Sequence, residues 1–199
     1  MLTCRETFTN TLEVKQSKFI AYLLPYKEYE ESLQKLKREH PKARHFVTAF
    51  RYINEYEQIV EGCSDDGEPK GTSGKPSLHV MQGNELVNVA VIIVRYFGGT
   101  KLGTGGLVRA YGDAVNEVIC NSQLDTYLKT KKLEFSCTYD KLGLVEYNLA
   151  RLNLTIVSKN FLALSINIVI LGTKEQLSNV VSKLGRNIKI SKVLESELN

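Results

Sequence analysis

The spacing of apolar residues changes period several times along the chain, and each change marks an element. Over residues 6–14, Phe8, Leu12 and Val14 alternate with polar positions, and residues 17–24 continue in strand-forming types, so two short strands are predicted. Asn10 or the stretch Lys15-Gln16-Ser17 can supply a turn. From Lys27 the period lengthens: Tyr26, Tyr29, Leu33 and Leu36 recur at three and four residues, with Glu and Lys between them, until Pro41 stops the pattern after His40. That is an amphipathic helix. Residues 44–52 alternate again, with Phe46, Thr48 and Phe50 on one face and His45, Val47, Ala49 and Arg51 on the other, as in a strand.

Between residues 54 and 83 the periodicity fades into a long glycine- and proline-rich loop, followed by a short helical turn with Pro76 at its first position and Leu78, Val80 and Met81 behind it. Residues 86–94 are then almost continuously apolar, the pattern of a central strand buried on both faces. A helix follows over residues 105–120, with Leu107, Val108, Tyr111, Val115, Val118 and Ile119 facing inward.

Residues 121–130 are polar and aperiodic, and read as a linker. Beyond it come a strand (131–137), a helix (140 to about 152), two strands (154–159 and 162–171), a helix (173–184) and a strand (187–194). Thr173 and Gln176 form a capping-box pair, and Gly185 stands where a left-handed C-terminal residue is wanted. This βαββαβ order predicts a ferredoxin-like sheet covered on one face by two helices. The fold class is therefore α+β in two domains, 1–130 and 131–199.

Composition alters this picture little. The 199 residues are neither disordered nor fibrous in type, and no apolar run approaches the roughly 18 residues of a membrane span, so a cytoplasmic protein without a membrane partner is expected. Cys4, Cys63, Cys120 and Cys137 fit neither a C-x-x-C pair nor a zinc spacing, and reduced thiols follow. The net charge is +4; residues 1–130 hold 16 basic against 16 acidic side chains and the remainder 10 against 6, so the surplus falls in the C-terminal segment.

Candidate chemistry concentrates in two glycine-rich loops. Gly74-Lys75 is followed by Pro76 and preceded by Pro69 rather than by a Walker A pattern, and Gly103-Thr-Gly105 has Val108 where a dinucleotide fingerprint needs its third glycine. ATP and NAD are therefore poor candidates, and no cofactor is expected. Glycines that let backbone N–H groups converge before a helix N-terminus still suit a phosphate, or simply make a tight turn. Asp65, Asp66 and Glu68 suit turn hydrogen bonds, or pairing with Arg95 or Lys75 to brace one loop on the other, better than a metal. His40, His45 and His79 stand beside no recognisable nucleophile, so no catalytic residue is assigned. Tyr96 and Phe97 at a strand end either stack bases or close a core.

Two stretches together identify a family. Ser64-Asp-Asp-Gly-Glu-Pro-Lys-Gly-Thr-Ser-Gly-Lys-Pro76 and Val94-Arg-Tyr-Phe-Gly-Gly-Thr-Lys-Leu-Gly-Thr-Gly-Gly-Leu-Val-Arg-Ala-Tyr111 resemble the signature of the YigZ/IMPACT family. The resemblance implies an N-terminal domain like the second domain of a small-subunit ribosomal protein, and a C-terminal domain like the last domain of the translocase elongation factor. Eukaryotic relatives are linked to translational control through a ribosome-associated activator of a stress kinase, which they meet with a different N-terminal recognition domain; this sequence shows no such domain, and that partner is not carried over. After His45 many members have a second histidine and a cysteine, where this chain has Phe46 and Val47, which weakens a metal or nucleophile there.

The expectation is then a non-catalytic protein that binds RNA or the ribosome and modulates translation. Phosphate contacts are assigned to Lys70, Lys75, Arg95, Lys101 and Arg109, with Tyr96 and the backbone of Gly98, Gly99, Gly103, Gly105 and Gly106, while the C-terminal sheet adds basic surface. The alternatives are an enzyme for a small phosphorylated or acylated ligand between the two loops, and a protein-binding adaptor.

Overall fold

The apolar run near the middle of the chain becomes the central strand of a sheet, and the elements around it follow from what its two faces need. The computed structural model describes residues 1–195 and divides into two units, Met1–Tyr127 and Leu128–Asn199. The first contains β1 (Leu2–Thr3), β2 (Phe8–Val14), β3 (Ser17–Pro25), α1 (Tyr29–Glu39), β4 (His45–Ile53), β5 (Ile59–Ser64), α2 (Gly74–Gly83), β6 (Val89–Tyr96), α3 (Gly103–Cys120) and β7 (Asp125–Thr126). Five strands pair in the order β2-β3-β6-β4-β5, antiparallel throughout.

Strand β6 is buried on both sides because two helical layers cover the sheet. Val89, Val91 and Ile93 join Phe19, Leu23 and Val47 beneath Met81 of α2 and Leu107, Tyr111, Val115 and Val118 of α3. Ala90, Ile92 and Val94 point the other way, to Tyr29 and Leu36 of α1. Lys15 and Gln16 make the β2–β3 turn with φ of 45° and 65°, the two left-handed positions a two-residue hairpin requires. Asn10 is no turn; it lies within β2 and donates to Glu117 Oε2 at 2.8 Å.

Several boundaries moved for identifiable reasons. The central strand begins at Val89 instead of residue 86, because Asn88 holds φ at 56° and interrupts the extended run. Strand β5 was hidden in the supposed loop: it is a half-exposed edge with a single partner, β4, and its Gly62 lies under the Phe50 ring, so it lacks an apolar repeat. Helix α2 starts two residues ahead of Pro76 and α3 two ahead of Gly105. Val108, expected inward, is exposed. Within the expected linker, β7 pairs antiparallel with β1.

The second unit contains β8 (Thr130–Cys137), α4 (Leu142–Arg151), β9 (Thr155–Phe161), β10 (Ile166–Thr173), α5 (Lys174–Leu184) and β11 (Lys189–Glu195). Its sheet order, β11-β8-β10-β9, with every pairing antiparallel, is the split βαβ arrangement of a ferredoxin-like domain. Leu133, Phe135, Ile166, Ile168 and Ile170 meet Val145, Leu149, Leu177 and Val180 of the two helices. The opposite face alternates outward with half-buried Lys132, Glu134, Asn167 and Val169. Gly185 is helical at φ −49°, so the left-handed cap is not used there. Among the described residues no helix is long and apolar enough to cross a membrane.

Thr173 starts α5 with a full capping box: its side chain accepts from the Gln176 N–H at 3.2 Å, and Gln176 accepts from the Thr173 N–H at 2.8 Å. Replacing an N-cap threonine by alanine costs about 1 kcal/mol. Thr173→Ala is expected to lower the unfolding free energy of the C-terminal unit by that amount in urea titrations while amide exchange in β3 and β6 keeps its wild-type protection.

Candidate functional site

Alternation along β6 decides where three consecutive side chains go. Arg95 continues the row of Val91 and Ile93 toward α3, Tyr96 continues the row of Ile92 and Val94 toward α1, and Phe97 falls past the end of the strand. Arg95 is accordingly enclosed, 5 % exposed, with its guanidinium 5.3 Å from the centre of the Phe19 ring. Its charge is met by Glu68, itself buried, through an ion pair from Nη1 to Oε1. The hydroxyl of Tyr111 donates to the same carboxylate oxygen at 2.8 Å, and burial together with that negative charge pushes the phenol well up from its ordinary range. His45 lies alongside, Nε2 3.9 Å from Glu68 Oε1. Its Nδ1 is 2.9 Å from the Asp66 carbonyl, and since a carbonyl can only accept, Nδ1 carries the proton when the ring is neutral. Arg95 Nε is buried and has no hydrogen-bond partner among the described residues.

The acidic side chains of the first glycine loop are all turned to internal use. Asp65 accepts from the amides of Gly71 (2.7 Å), Ser73 (3.1 Å) and Gly74 (2.8 Å) and from the Ser73 hydroxyl (2.6 Å). These bonds occupy the N-terminal amides of α2. Asp66 accepts from the Phe46 amide at 2.6 Å and so ties the loop to the start of β4. Gly74 must be glycine for contact reasons, since a Cβ there would sit 2.9 Å from the Ser64 carbonyl.

The second loop is built differently. Gly98 lies against the β2–β3 turn, where a Cβ would overlap the backbone of Gln16 and Ser17, and its amide donates to Ser17 Oγ at 3.2 Å. Gly99 and Gly103 hold φ at 85° and 73°. Helix α3 then opens with no acidic residue in its first turn, and among the described residues it has no side-chain cap and no carboxylate on the amides of Gly103, Thr104, Gly105 and Gly106, in contrast to α2. Lys70, Lys75, Lys101 and Arg109 are all exposed, and among the described residues none has an ion-pair partner.

The expected set thus separates into two groups. Lys70, Lys75, Lys101, Arg109, Gly99, Gly103 and Gly105 face outward, with Gly106 half-buried. Arg95 and the amide of Gly98 are consumed inside the scaffold, and the Tyr96 hydroxyl is 2.8 Å from His40 Nδ1 in the α1 layer. Nothing in the sequence pattern singles out Arg44 for this end of the sheet. It is exposed at the entry to β4, its amide donates to the Arg95 carbonyl at 3.2 Å, and its guanidinium lies 6.0 Å from the centre of the Phe97 ring. The antiparallel registers Lys18↔Tyr96 and His45↔Arg95 were the missing signal, because they bring residues 50 to 80 apart in sequence to one end of the sheet. Among the described residues no group of three or more His, Cys, Asp or Glu side chains could hold a metal. Of the four free thiols, Cys4 is pushed up to about 12, mainly by burial.

Two expectations follow for the site. Glu68→Ala strands a buried guanidinium and is expected to cost about 3–5 kcal/mol in urea unfolding, whereas Glu68→Leu combined with Arg95→Met costs much less, because both charges leave together. For Asp65, burial pushes the carboxyl up, but the Ser73 hydroxyl and the three amides pull it down further, leaving it below its ordinary value of 3.8. An acid held lower in the folded state stabilises the fold above the unfolded pKa, and that contribution is lost as pH falls below about 3.8 through the folded value. Asp65→Asn should therefore flatten this acid limb in a series of urea titrations from pH 5 to pH 2.

A model of the Impact N-terminal domain matches residues 15–119, which contain both loops. An IMPACT family member from Haemophilus influenzae is 39% identical over 82% of this chain and 80% of its own length. The Escherichia coli family member YigZ is 37% identical over 76% of each chain. A solved structure, described as that of a hypothetical protein, superposes with a TM-score of 0.65 at 28% identity, covering 100% of this chain and 98% of its own. With its two signature loops inside the matched domain and relatives of this similarity along most of its length, the chain belongs to the IMPACT family.

Proposed function

We propose that this protein binds RNA, free or in the ribosome, at the end of the five-stranded sheet where the two glycine loops meet, and modulates translation without catalysing a reaction. One observation carries the reading: the three carboxylates of the first loop are held by Arg95, the Ser73 hydroxyl and backbone amides, with Glu68 buried, Asp65 half-buried and Asp66 exposed, while Lys70, Lys75, Lys101 and Arg109 stand exposed and, among the described residues, in no ion pair. Glu68 and Arg95 cancel each other in the interior, so Asp65 and Asp66 remain against Lys70, Lys75, Lys101 and Arg109, a local surplus of 4 − 2 = +2 although residues 1–130 are neutral by count. Lys101 and Arg109 flank an uncapped helix N-terminus, whose amides and partial positive charge favour phosphate oxygens. Lys70 and Lys75 extend the surface across the first loop, and Lys189 and Lys192 on β11 supply cationic positions in the C-terminal unit. Resemblance to a family whose eukaryotic members act in translational control supports the choice of RNA over other polyanions.

Such contacts release counterions, so affinity must fall as salt rises, with a slope of about 0.7 per neutralised phosphate on a single strand. Fluorescence anisotropy with a labelled RNA between 50 and 200 mM salt, conditions of roughly the range over which this effect is large, should give a log–log line. Lys101→Ala with Arg109→Ala should reduce its slope by about 1.4 and weaken co-sedimentation with ribosomes. Affinity that is flat with salt, or unchanged in the double variant, would reject the reading.

A further inference from the structure

We propose that Phe97 is a platform for one unpaired base, and that the cationic strip leading to it, Lys37, Arg38, Lys42 and Arg44, makes the preferred ligand single-stranded RNA. The inference deepens the RNA-binding reading above and rests on it.

Phe97 is 45% exposed at the end of the central strand. A lone exposed aromatic is ordinary, but this one is held unusually firmly. The residue before it is fixed by strand pairing, Tyr96 against Lys18. The residue after it is Gly98, wedged on the β2–β3 turn and hydrogen-bonded to Ser17. A ring on so fixed a backbone pays little ordering entropy when a base settles on it. Two guanidinium groups lie 6.0 Å from its centre, those of Arg44 and Arg95. Arg95 is buried and neutralised by Glu68, so only Arg44 can also reach a phosphate.

The segment that ends at Arg44, beside the ring, is cationic. Residues 35–44 contain Lys35, Lys37, Arg38, Lys42 and Arg44 against Glu39 alone, a local charge of 5 − 1 = +4, as large as the net charge of the whole chain. Glu39 lies 3.9 Å from Lys35. The other four cations are exposed, and among the described residues none of them is in an ion pair. Lys37 and Arg38 stand in the last turn of α1, where they also oppose the helix dipole. Lys42 and Arg44 lie beyond that helix, so its dipole gives no reason for them.

The combination of ring and strip selects the form of the ligand. A duplex offers phosphates but keeps the faces of its bases inside the stack, whereas a single strand can lay a base on an aromatic ring while its backbone runs over cations. An acidic polypeptide would use the strip and ignore the ring.

The full chain should be tested by anisotropy against a 12-nucleotide single strand, the corresponding blunt duplex and poly-glutamate, lengths chosen near about one site of 4–16 nucleotides. Phe97→Leu keeps an apolar side chain but removes the π-face; it is expected to weaken the single strand by roughly five- to hundred-fold and leave duplex affinity unchanged, while Phe97→Trp retains wild-type affinity. Lys42→Ala should weaken both nucleic acids together. Equal loss on single strand and duplex in Phe97→Leu, or no loss on either, overturns the platform while salt-dependent RNA binding still stands. Poly-glutamate bound as tightly as RNA would assign the strip to an acidic protein and overturn it too. No binding of any RNA by the wild-type chain would remove both this inference and the reading beneath it.

Discussion

The pair formed by Glu68 and Arg95 is the contact on which the rest of this sheet end depends. Both side chains are almost fully buried, so each would be strongly unfavourable alone, and neither can be lost without exposing the other's charge to a low-dielectric interior. The pair also joins parts of the chain that nothing local would hold together. Glu68 comes from a loop, Arg95 from the central strand, and Tyr111, which donates to the same oxygen, from the third turn of α3. Residues 65–73, between β5 and α2, have no strand or helix pairing of their own to hold them. Here one carboxylate fastens them to the sheet and to a helix at once.

The consequence for the surface is electrostatic. Glu68 alone among the three acids of the first loop is withdrawn from the surface, buried against Arg95 so that the two charges cancel, while Asp65 and Asp66 keep theirs. Asp65 and Asp66 accept from backbone amides and, for Asp65, from the Ser73 hydroxyl, bonds that fix the side chains without neutralising them. A count over residues 1–130 averages this end, where four exposed cations stand against two acids, with the rest of the unit. The surplus of four still falls in residues 131–199, because the buried pair takes one acid and one base from the N-terminal unit alike.

Much of the fold was legible because its apolar periods are clean. The ferredoxin-like unit, the capping box at Thr173 and the doubly buried β6 all follow from spacing alone. Strand β5 was not legible, since an edge strand with one partner needs no continuous apolar face. The site was legible only in part. Glycine loops and nearby lysines can be seen in a sequence, whereas the fates of Arg95, Tyr96 and Phe97 depend on where the strand ends, and a shift of one residue would exchange their faces. Arg44 became visible only with the β4–β6 register, which sets its neighbour His45 opposite Arg95.

The two glycine loops, so alike in composition, finish with opposite chemistry, and the difference lies in a single carboxylate. At α2 the helix N-terminus is filled from within: Asp65 takes the place an external anion would occupy, and burial of Ser73 and Gly74 seals it. At α3 the first turn has no acidic residue and no capping side chain, and its glycines leave the backbone uncovered. The first loop thus acts as a brace, its charge spent on its own backbone. The second is fixed at one end by Gly98 and open at the other, which is the geometry expected of a loop whose missing acceptor arrives with a ligand.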